Sequence, residues 1–134
     1  KLQELKGNWA NLKAEEATAK LKPYDKEGAL LIKTTIRLSH ATSAGISLDG
    51  QNIVDYDMNR NTINGTFYSP EEIGSMELKM TLLIDRTSVE VYIDDGAYSY
   101  VMERRAHNSS GFNFWGNNIM VKELEVSTLR SIWE

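Results

Sequence analysis

The chain has 134 residues, of which 41% are hydrophobic and 25% are charged, and this length suffices for one domain with its own core. The formal net charge of -4 and the isoelectric point of about 5.2 argue against a protein that follows a nucleic-acid backbone or binds an anionic membrane surface. The absence of cysteine excludes disulfides, thiolate metal sites and cysteine nucleophiles. We therefore expect neither a nucleic-acid nor a membrane partner.

The first third of the chain gives a mixed pattern. Ala14–Ala19 has a helix-forming composition, but Trp9, Leu12 and Leu21 around it fit neither the helical nor the strand period. We predict a strand there. The next segment, Leu30–Ser39, is rich in Ile, Leu and Thr and predicts a second strand.

Two dipeptides typical of tight turns follow. Asp49-Gly50 lies between the apolar runs Ile46–Leu48 and Ile53–Tyr56, which predicts a hairpin. Asn64-Gly65 interrupts the run Ile63–Tyr68 and predicts another turn.

The strongest strand signal covers residues 76–105. Apolar and polar residues alternate from Leu78 to Ile84, and a second alternating run leads into Asp95-Gly96. A hairpin folded on that turn pairs Val91 with Tyr100 and directs both toward the core. The opposite face of the same hairpin then carries Ser88, Glu90, Tyr92, Ser99, Val101 and Glu103.

The end of the chain predicts a loop, His107–Asn118, and two closing strands, Ile119–Val126 and Thr128–Trp133. Many short strands with turn signals between them predict an all-β fold, an antiparallel two-sheet β-sandwich of the jelly-roll or lectin-like kind. We expect a single domain over residues 1–134. Because the chain starts at Lys1 without an initiator methionine, we also expect it to be a fragment of a larger protein.

The sequence contains few patterns typical of catalytic or metal-binding sites. The two histidines lack the spacing of a zinc-binding pair, and the aspartates of residues 49–57 lack that of an EF-hand loop. A phosphate-binding glycine loop is also missing. We therefore expect no metal and no cofactor.

One stretch of the chain resembles a known family. Residues 83–96, Leu-Ile-Asp-Arg-Thr-Ser-Val-Glu-Val-Tyr-Ile-Asp-Asp-Gly, are similar to a run in the C-terminal β-sandwich of glycoside hydrolase family 32, which includes invertases, levanases and inulinases. The segments Val54-Asp-Tyr-Asp57 and Leu129-Arg-Ser-Ile-Trp133 resemble two further parts of that sandwich.

The resemblance implies a module without catalytic equipment. In the family, the nucleophile and the transition-state aspartate lie in Asp-Pro motifs of a separate propeller domain, and the acid glutamate lies beside a cysteine. This chain contains neither an Asp-Pro dipeptide nor a cysteine. The resemblance therefore implies a non-enzymatic sandwich, similar to the fructan-binding modules of carbohydrate-binding module family 66, attached to a secreted levanase or related fructan hydrolase.

Sugar hydroxyls are best bound by carboxylates, arginine and an aromatic ring, and these residue types define the candidate site. Asp85 and Arg86 end one predicted strand, and the run Glu103-Arg104-Arg105 ends another. Each candidate also has a structural interpretation, as a turn cap, a strand residue, a charged sheet edge or a core aromatic. We predict that the residues contacting fructose are Asp85, Arg86, Glu90, Glu103, Arg105 and Trp115.

Two functional hypotheses follow. The first is a fructan-binding module for levan or inulin that recognises terminal fructose and directs an attached hydrolase to its substrate. The second is a purely structural sandwich that supports the hydrolase domain and leaves an apolar patch exposed when that domain is removed. The choice between levan and inulin, and between terminal and internal sugars, stays open at this point.

Overall fold

The computed structural model describes residues 2–25, 28–38, 43–67, 77–104 and 111–130. These residues form two antiparallel sheets packed face to face, so the predicted all-β sandwich is confirmed. The strands are β1 (Leu2–Leu12), β2 (Leu30–Arg37), β3 (Ser43–Leu48), β4 (Gln51–Asp57), β5 (Thr62–Ile63), β6 (Thr66–Phe67), β7 (Glu77–Ile84), β8 (Ser88–Ile93), β9 (Tyr98–Glu103), β10 (Phe112–Gly116) and β11 (Met120–Arg130).

Six strands form one sheet in the order β1-β11-β2-β7-β8-β9, and five form the other in the order β10-β3-β4-β5-β6. The core lies between the sheets because alternate residues of each strand point inward. On β7, for example, Leu78, Met80, Leu82 and Ile84 are buried. The Tyr100 hydroxyl on β9 donates a hydrogen bond of 2.6 Å to the Ile53 carbonyl on β4 and so connects the two sheets.

The predicted hairpin of β8 and β9 is confirmed in its register. Val91 pairs with Tyr100 and Ser88 pairs with Glu103, as the alternation requires. The turns at Asp49-Gly50 and Asn64-Gly65 are also confirmed, and all four residues have positive φ, as in the turns that suit two-residue hairpins.

The strand predicted over Ala14–Ala19 is wrong. A helix, α1, covers Ala14–Leu21, and only Ala17 and Leu21, one helical turn apart, are buried in it. The Glu16 carboxylate accepts a hydrogen bond of 2.9 Å from the Lys13 backbone N–H and so completes the first turn. Because α1 buries so little apolar surface, its periodicity is too weak to separate helix from strand.

Three other details of the prediction also change. Strand β1 was missed. The two closing strands are one strand, β11, because Ser127 stays in the ladder opposite Leu31 instead of forming a turn. Phe112 and Phe114 belong to a strand and not to a loop, and both are buried, as in the core interpretation of this cluster. Residues 131–134 of the predicted last strand lie outside the described residues.

Helix α1 covers the free edge of β10. The Thr18 hydroxyl accepts a hydrogen bond of 2.9 Å from the Phe114 N–H, and the Asp25 carboxylate accepts one of 3.3 Å from the Phe112 N–H. An edge strand with its backbone donors satisfied in this way cannot easily pair with another chain. Helix α1, whose sequence pattern is ambiguous, therefore protects the edge of the five-stranded sheet.

Candidate functional site

Three of the predicted site residues meet at one end of the sandwich. Asp85 and Arg86 form the turn between β7 and β8, and Glu103 is the last residue of β9. Ser88 pairs with Glu103, so the Glu103 side chain lies beside the start of β8 and close to the turn. Asp85, Arg86 and Glu103 are all exposed. We call these three residues the end cluster.

Asp85 also has a structural role in its turn. Its Oδ1 accepts a hydrogen bond of 2.7 Å from the Arg86 N–H, and its own N–H donates one of 2.8 Å to the Ser88 carbonyl. Asp commonly caps turns in this way. Its second oxygen, Oδ2, has no hydrogen bond to any described residue, and the residue is exposed.

Arg104 lies next to the end cluster and contacts the turns of both sheets at this end of the molecule. One guanidinium nitrogen, Nη1, donates a hydrogen bond of 3.1 Å to the Asp85 carbonyl, and the Arg104 backbone N–H donates one of 2.9 Å to the Thr87 carbonyl. A second nitrogen, Nη2, lies 3.9 Å from Asp49 Oδ2, and the two side chains are only 11% and 10% exposed. Arg104 thus connects the turn of the six-stranded sheet to the Asp49-Gly50 turn of the five-stranded sheet.

Asp49 extends this connection to β10. It accepts a hydrogen bond of 2.9 Å from the Gly111 N–H at Oδ1 and donates one of 2.9 Å to the Gly111 carbonyl. Gln51 adds a further contact, since its Nε2 donates a hydrogen bond of 3.0 Å to the Glu103 carbonyl. Contacts from Arg104, Asp49 and Gln51 therefore fix the backbone that carries the end cluster.

The sequence-based choice among the charged residues that end β9 missed Arg104. The alternation of side chains along a strand would have identified Arg104. Because Glu103 lies on the outer face of β9, the side chain of the next residue must point to the opposite face. Arg105, which was predicted as a ligand residue, lies outside the described residues.

The Arg86 side chain packs against Gly28, just before β2. A Cβ atom placed on Gly28 would lie 3.1 Å from Arg86 Nε, so the guanidinium packs against the Gly28 backbone, where a glycine leaves room for it. Arg86 is exposed and follows Asp85 in the same turn.

Glu90 and Trp115 do not belong to the end cluster. Glu90 lies two residues along β8 from Ser88, about 7 Å away, between Leu83 and Val101 on the outer face of the six-stranded sheet. It accepts a hydrogen bond of 3.0 Å from the Tyr92 hydroxyl, and this bond raises the pKa of Tyr92. Trp115 lies on β10 of the five-stranded sheet, whereas the end cluster lies on the six-stranded sheet.

Trp115 packs against Gly45, its pairing partner on β3. A Cβ atom on Gly45 would clash with the Val54 carbonyl oxygen and would lie 2.7 Å from Trp115 Cζ2, so the ring and the backbone of β4 together occupy the space that a side chain there would need. The indole Nε1 is buried and has no hydrogen-bond partner within the part of the chain that the structure describes. The structure therefore gives this ring a packing role, and the indole N–H is not exposed to a ligand.

A cleft of about 380 Å³ opens beside the Asp49-Gly50 turn. Its lining includes Lys22, Asp25, Ser47 and Asn113. Asp25 already accepts the Phe112 N–H, so part of its hydrogen-bonding capacity is used by the fold. The described residues contain no metal site of the usual kind: no group of three or more His, Cys, Asp or Glu side chains is arranged to hold a metal ion. Within the same residues, no helix has both the length and the apolarity to cross a lipid bilayer.

Comparison with known families decides what kind of domain this is. The family model described as "Glycosyl hydrolases family 32 C terminal" matches residues 3–128. The chain belongs to this family. This family membership agrees with the similarity of residues 83–96 to the family 32 sandwich and with the two-sheet fold. None of the curated proteins matches the chain.

Solved structures show the same fold at low sequence identity. An exo-inulinase from Aspergillus awamori has a TM-score of 0.61 at 13% identity, and the match covers 98% of this chain and 28% of that one. A fructofuranosidase from Schwanniomyces occidentalis complexed with fructosylnystose has a TM-score of 0.58 at 9% identity, with 97% and 33% covered. Sucrose-6-phosphate hydrolase from Lactobacillus gasseri has a TM-score of 0.53 at 10% identity, with 98% and 29% covered. The chain therefore spans about a third or less of the length of these solved proteins.

Proposed function

We propose that this family 32 C-terminal domain is a non-catalytic fructan-binding module of a secreted fructan hydrolase and that it binds terminal fructose at the end cluster. The supporting observation is the grouping of Asp85, Arg86 and Glu103, all exposed, at one end of the sandwich. Two carboxylates accept hydrogen bonds from neighbouring sugar hydroxyls and a guanidinium donates to them, which is the combination that a neutral polyol needs.

The geometry also favours a preorganised site. Arg104 and Asp49 hold the backbone of the turn from behind, so the turn does not have to become ordered when a ligand binds. Water nevertheless competes for every exposed group. We expect a single fructose to bind with a dissociation constant in the micromolar to millimolar range, about -4 to -8 kcal/mol.

The absence of catalytic motifs supports the non-enzymatic part of the proposal. The chain has no Asp-Pro dipeptide and no cysteine, so the residues that the family uses for hydrolysis have no counterparts here. On this proposal, the attached domain cuts the fructan and the sandwich holds it.

Isothermal titration of the chain with fructose, levan and inulin tests the proposal. Asp85→Asn keeps an oxygen for the Arg86 N–H and removes the charge, and Glu103→Gln alters an exposed carboxylate. Each variant should weaken fructose binding about tenfold, because a hydrogen bond to a charged group contributes about 1.5–3 kcal/mol. Glu15→Gln, an exposed change on α1, is the matched control. Unchanged affinity in both site variants, or release of free sugar by the wild-type chain, would contradict the proposal.

A specific observation favours the second hypothesis, a structural sandwich that packs against a hydrolase domain. Val101 is 66% exposed and Tyr92 is 38% exposed, both on the outer face of the six-stranded sheet, and half-buried Leu83 lies nearby on the same face. Exposed apolar residues that lie together often mark an interface. If this is the sole function, the titrations show no sugar binding. Val101→Asp then prevents the sandwich from associating with a separately produced catalytic domain.

A further inference from the structure

The outer face of the six-stranded sheet has a groove with a volume of about 400 Å³, away from the end cluster. It crosses four neighbouring strands, β1, β11, β2 and β7, and its lining residues come from all four. Its polar lining includes Asn8, Lys33, Thr35, Thr81, Glu123 and Glu125. We propose that this groove is a second binding site, which takes an internal stretch of a neutral polysaccharide chain. The identity of that polysaccharide as fructan rests on the proposed function.

The register of the strands places hydrogen-bonding groups in a line across the groove. Asn8 pairs with Glu125, Glu125 pairs with Lys33, and Lys33 pairs with Thr81. Thr81 in turn pairs with Tyr92, an exposed aromatic residue on β8. Neighbouring strands lie about 4.8 Å apart, so the first four residues of the line span about 14 Å. This length exceeds one sugar ring and suits a short oligosaccharide laid across the strands.

The ionic groups of the groove are largely uncommitted. Among the described residues, the side chains of Lys33, Glu123 and Glu125 form neither an ion pair nor a hydrogen bond. Lys33 has this property although Glu125 lies directly opposite on the next strand. In the end cluster, by contrast, Asp85 caps its own turn. The groove therefore offers an ammonium donor and two carboxylate acceptors that the fold does not use.

The shape of this sheet region has a structural cause. The ladder between β1 and β11 is irregular between Leu5 and Gly7, and that between β11 and β2 is irregular between Val121 and Glu123. Such bulges bend the strand and increase its twist. The two irregularities lie on either side of the paired residues Asn8 and Glu125, so the face curves around them.

The chemistry of the lining selects a neutral polyol over a protein or a polyanion. The groove has two ammonium groups, on Lys33 and Lys79, against the carboxylates of Asp95, Glu123 and Glu125, so it does not attract phosphate or sulfate chains. Its lining also includes Trp9 and Met80, but Met80 is only 1% exposed and Trp9 is half-buried, so the groove does not present the exposed large apolar residues that form the centre of protein interfaces. The lining carries both donors and acceptors, which fits a sugar chain. Tyr92 lies outside the lining, but it is the strand neighbour of Thr81 and is exposed, so its ring is available for the apolar face of a sugar that extends past the groove.

Titration of groove variants with fructose, short fructan oligosaccharides and long-chain levan and inulin tests the inference. Lys33→Ala and Glu125→Gln change exposed or half-exposed side chains on the outer face, so the fold should persist. We expect each to weaken binding of the long chains about tenfold and to leave fructose affinity unchanged. Arg60→Ala, a cation 82% exposed on another part of the surface, should change neither. Amide chemical shifts of β2 and β11 should move with the oligosaccharides but not with fructose.

The outcomes separate this inference from the proposed function. If the wild-type chain binds fructose and Lys33→Ala binds long chains as tightly as the wild type does, the groove inference is wrong and the end cluster alone binds fructan. If the groove variants lose fructose and long chains equally, the groove is a site for single sugars and the internal-chain inference is also wrong. If the wild-type chain binds neither fructose nor fructan, the proposed function fails first and the groove inference falls with it.

Discussion

Arg104 gives the sharpest test of how this end of the sandwich is held together. Replacing it with methionine keeps much of the length of the side chain and removes the guanidinium. The change breaks the contact of 3.9 Å with Asp49 and the hydrogen bond of 3.1 Å to the Asp85 carbonyl. Both ionic side chains are about nine-tenths buried, so the Asp49 carboxylate loses its counter-charge in a place that water hardly reaches.

The magnitude follows from this burial. Removing one partner of a buried pair typically destabilises a protein by about 3–5 kcal/mol. Asp49 keeps the hydrogen bond from the Gly111 N–H, and the ion-pair distance is long, so we expect the lower end, about 3 kcal/mol. For a domain of this size, that corresponds to a fall in melting temperature of about 12 °C.

Urea and thermal unfolding, followed by circular dichroism, measure the effect. Asp49→Asn is the informative partner variant, because asparagine also accepts the Gly111 N–H and tolerates the positive φ of 51° at this position. The double variant should lose less stability than the two single variants combined. Additivity within about 0.5 kcal/mol would mean that the two side chains do not act as a pair. Arg60→Met, on an 82% exposed side chain, should change stability by less than about 0.5 kcal/mol.

Three further predictions test other parts of the fold. Tyr100→Phe removes the hydroxyl that joins the sheets and should cost about 1 kcal/mol. Because burial raises the pKa of Tyr100, the contribution of the protonated hydroxyl to stability is fully present below pH 10.0 and is lost as the pH rises through the higher pKa of the folded state. Urea unfolding midpoints of the wild type and the variant at neutral and alkaline pH measure this loss. Glu77→Gln should cost less than about 1 kcal/mol at neutral pH. The hydrogen bond from Lys122 holds the pKa of Glu77 below 4.5, so the difference from wild type should disappear as acid protonates Glu77, as measured by melting temperature against pH. Gly45→Ala drives a methyl group into the Val54 carbonyl oxygen on β4 and against the Trp115 ring, so the backbone must shift, and we expect a cost of at least about 3 kcal/mol in urea unfolding together with a change in tryptophan fluorescence. Unchanged stability and an unchanged spectrum would show that neither group occupies that space.

The sequence predicts the hairpin of β8 and β9 residue by residue. Its side chains alternate strictly, and Asp95-Gly96 fixes the position of the connection, so register and faces follow together. Helix α1 could not be predicted in this way. Its buried side chains are Ala17 and Leu21 alone, and two residues do not define a period. Its tertiary contacts, among them the hydrogen bond from Phe114 to Thr18, are invisible in the local sequence.

The candidate site was predictable in part for the same reason. The hairpin register brings Glu103 beside Ser88 and therefore close to Asp85, and only local pairing is needed to see this. The contact between Arg104 and Asp49 joins two different sheets and depends on how those sheets stack. The groove depends on an even larger set of pairings across four strands. Sequence patterns specify which face a residue lies on, but they do not specify which strands become neighbours.

The two proposed sites should respond differently to the length of the ligand. At the end cluster the turn is already fixed by Arg104, so a single sugar can use its hydrogen bonds without ordering the backbone. In the groove, Lys33 and Glu125 have no partner among the described residues, and each must become ordered when a ligand binds. That ordering costs about 0.5–1.5 kcal/mol for each flexible side chain. A single sugar touches too few of these groups to offset the cost, whereas a chain that crosses four strands contacts several at once. Affinity for the groove should therefore rise steeply with oligosaccharide length, while affinity for the end cluster should not.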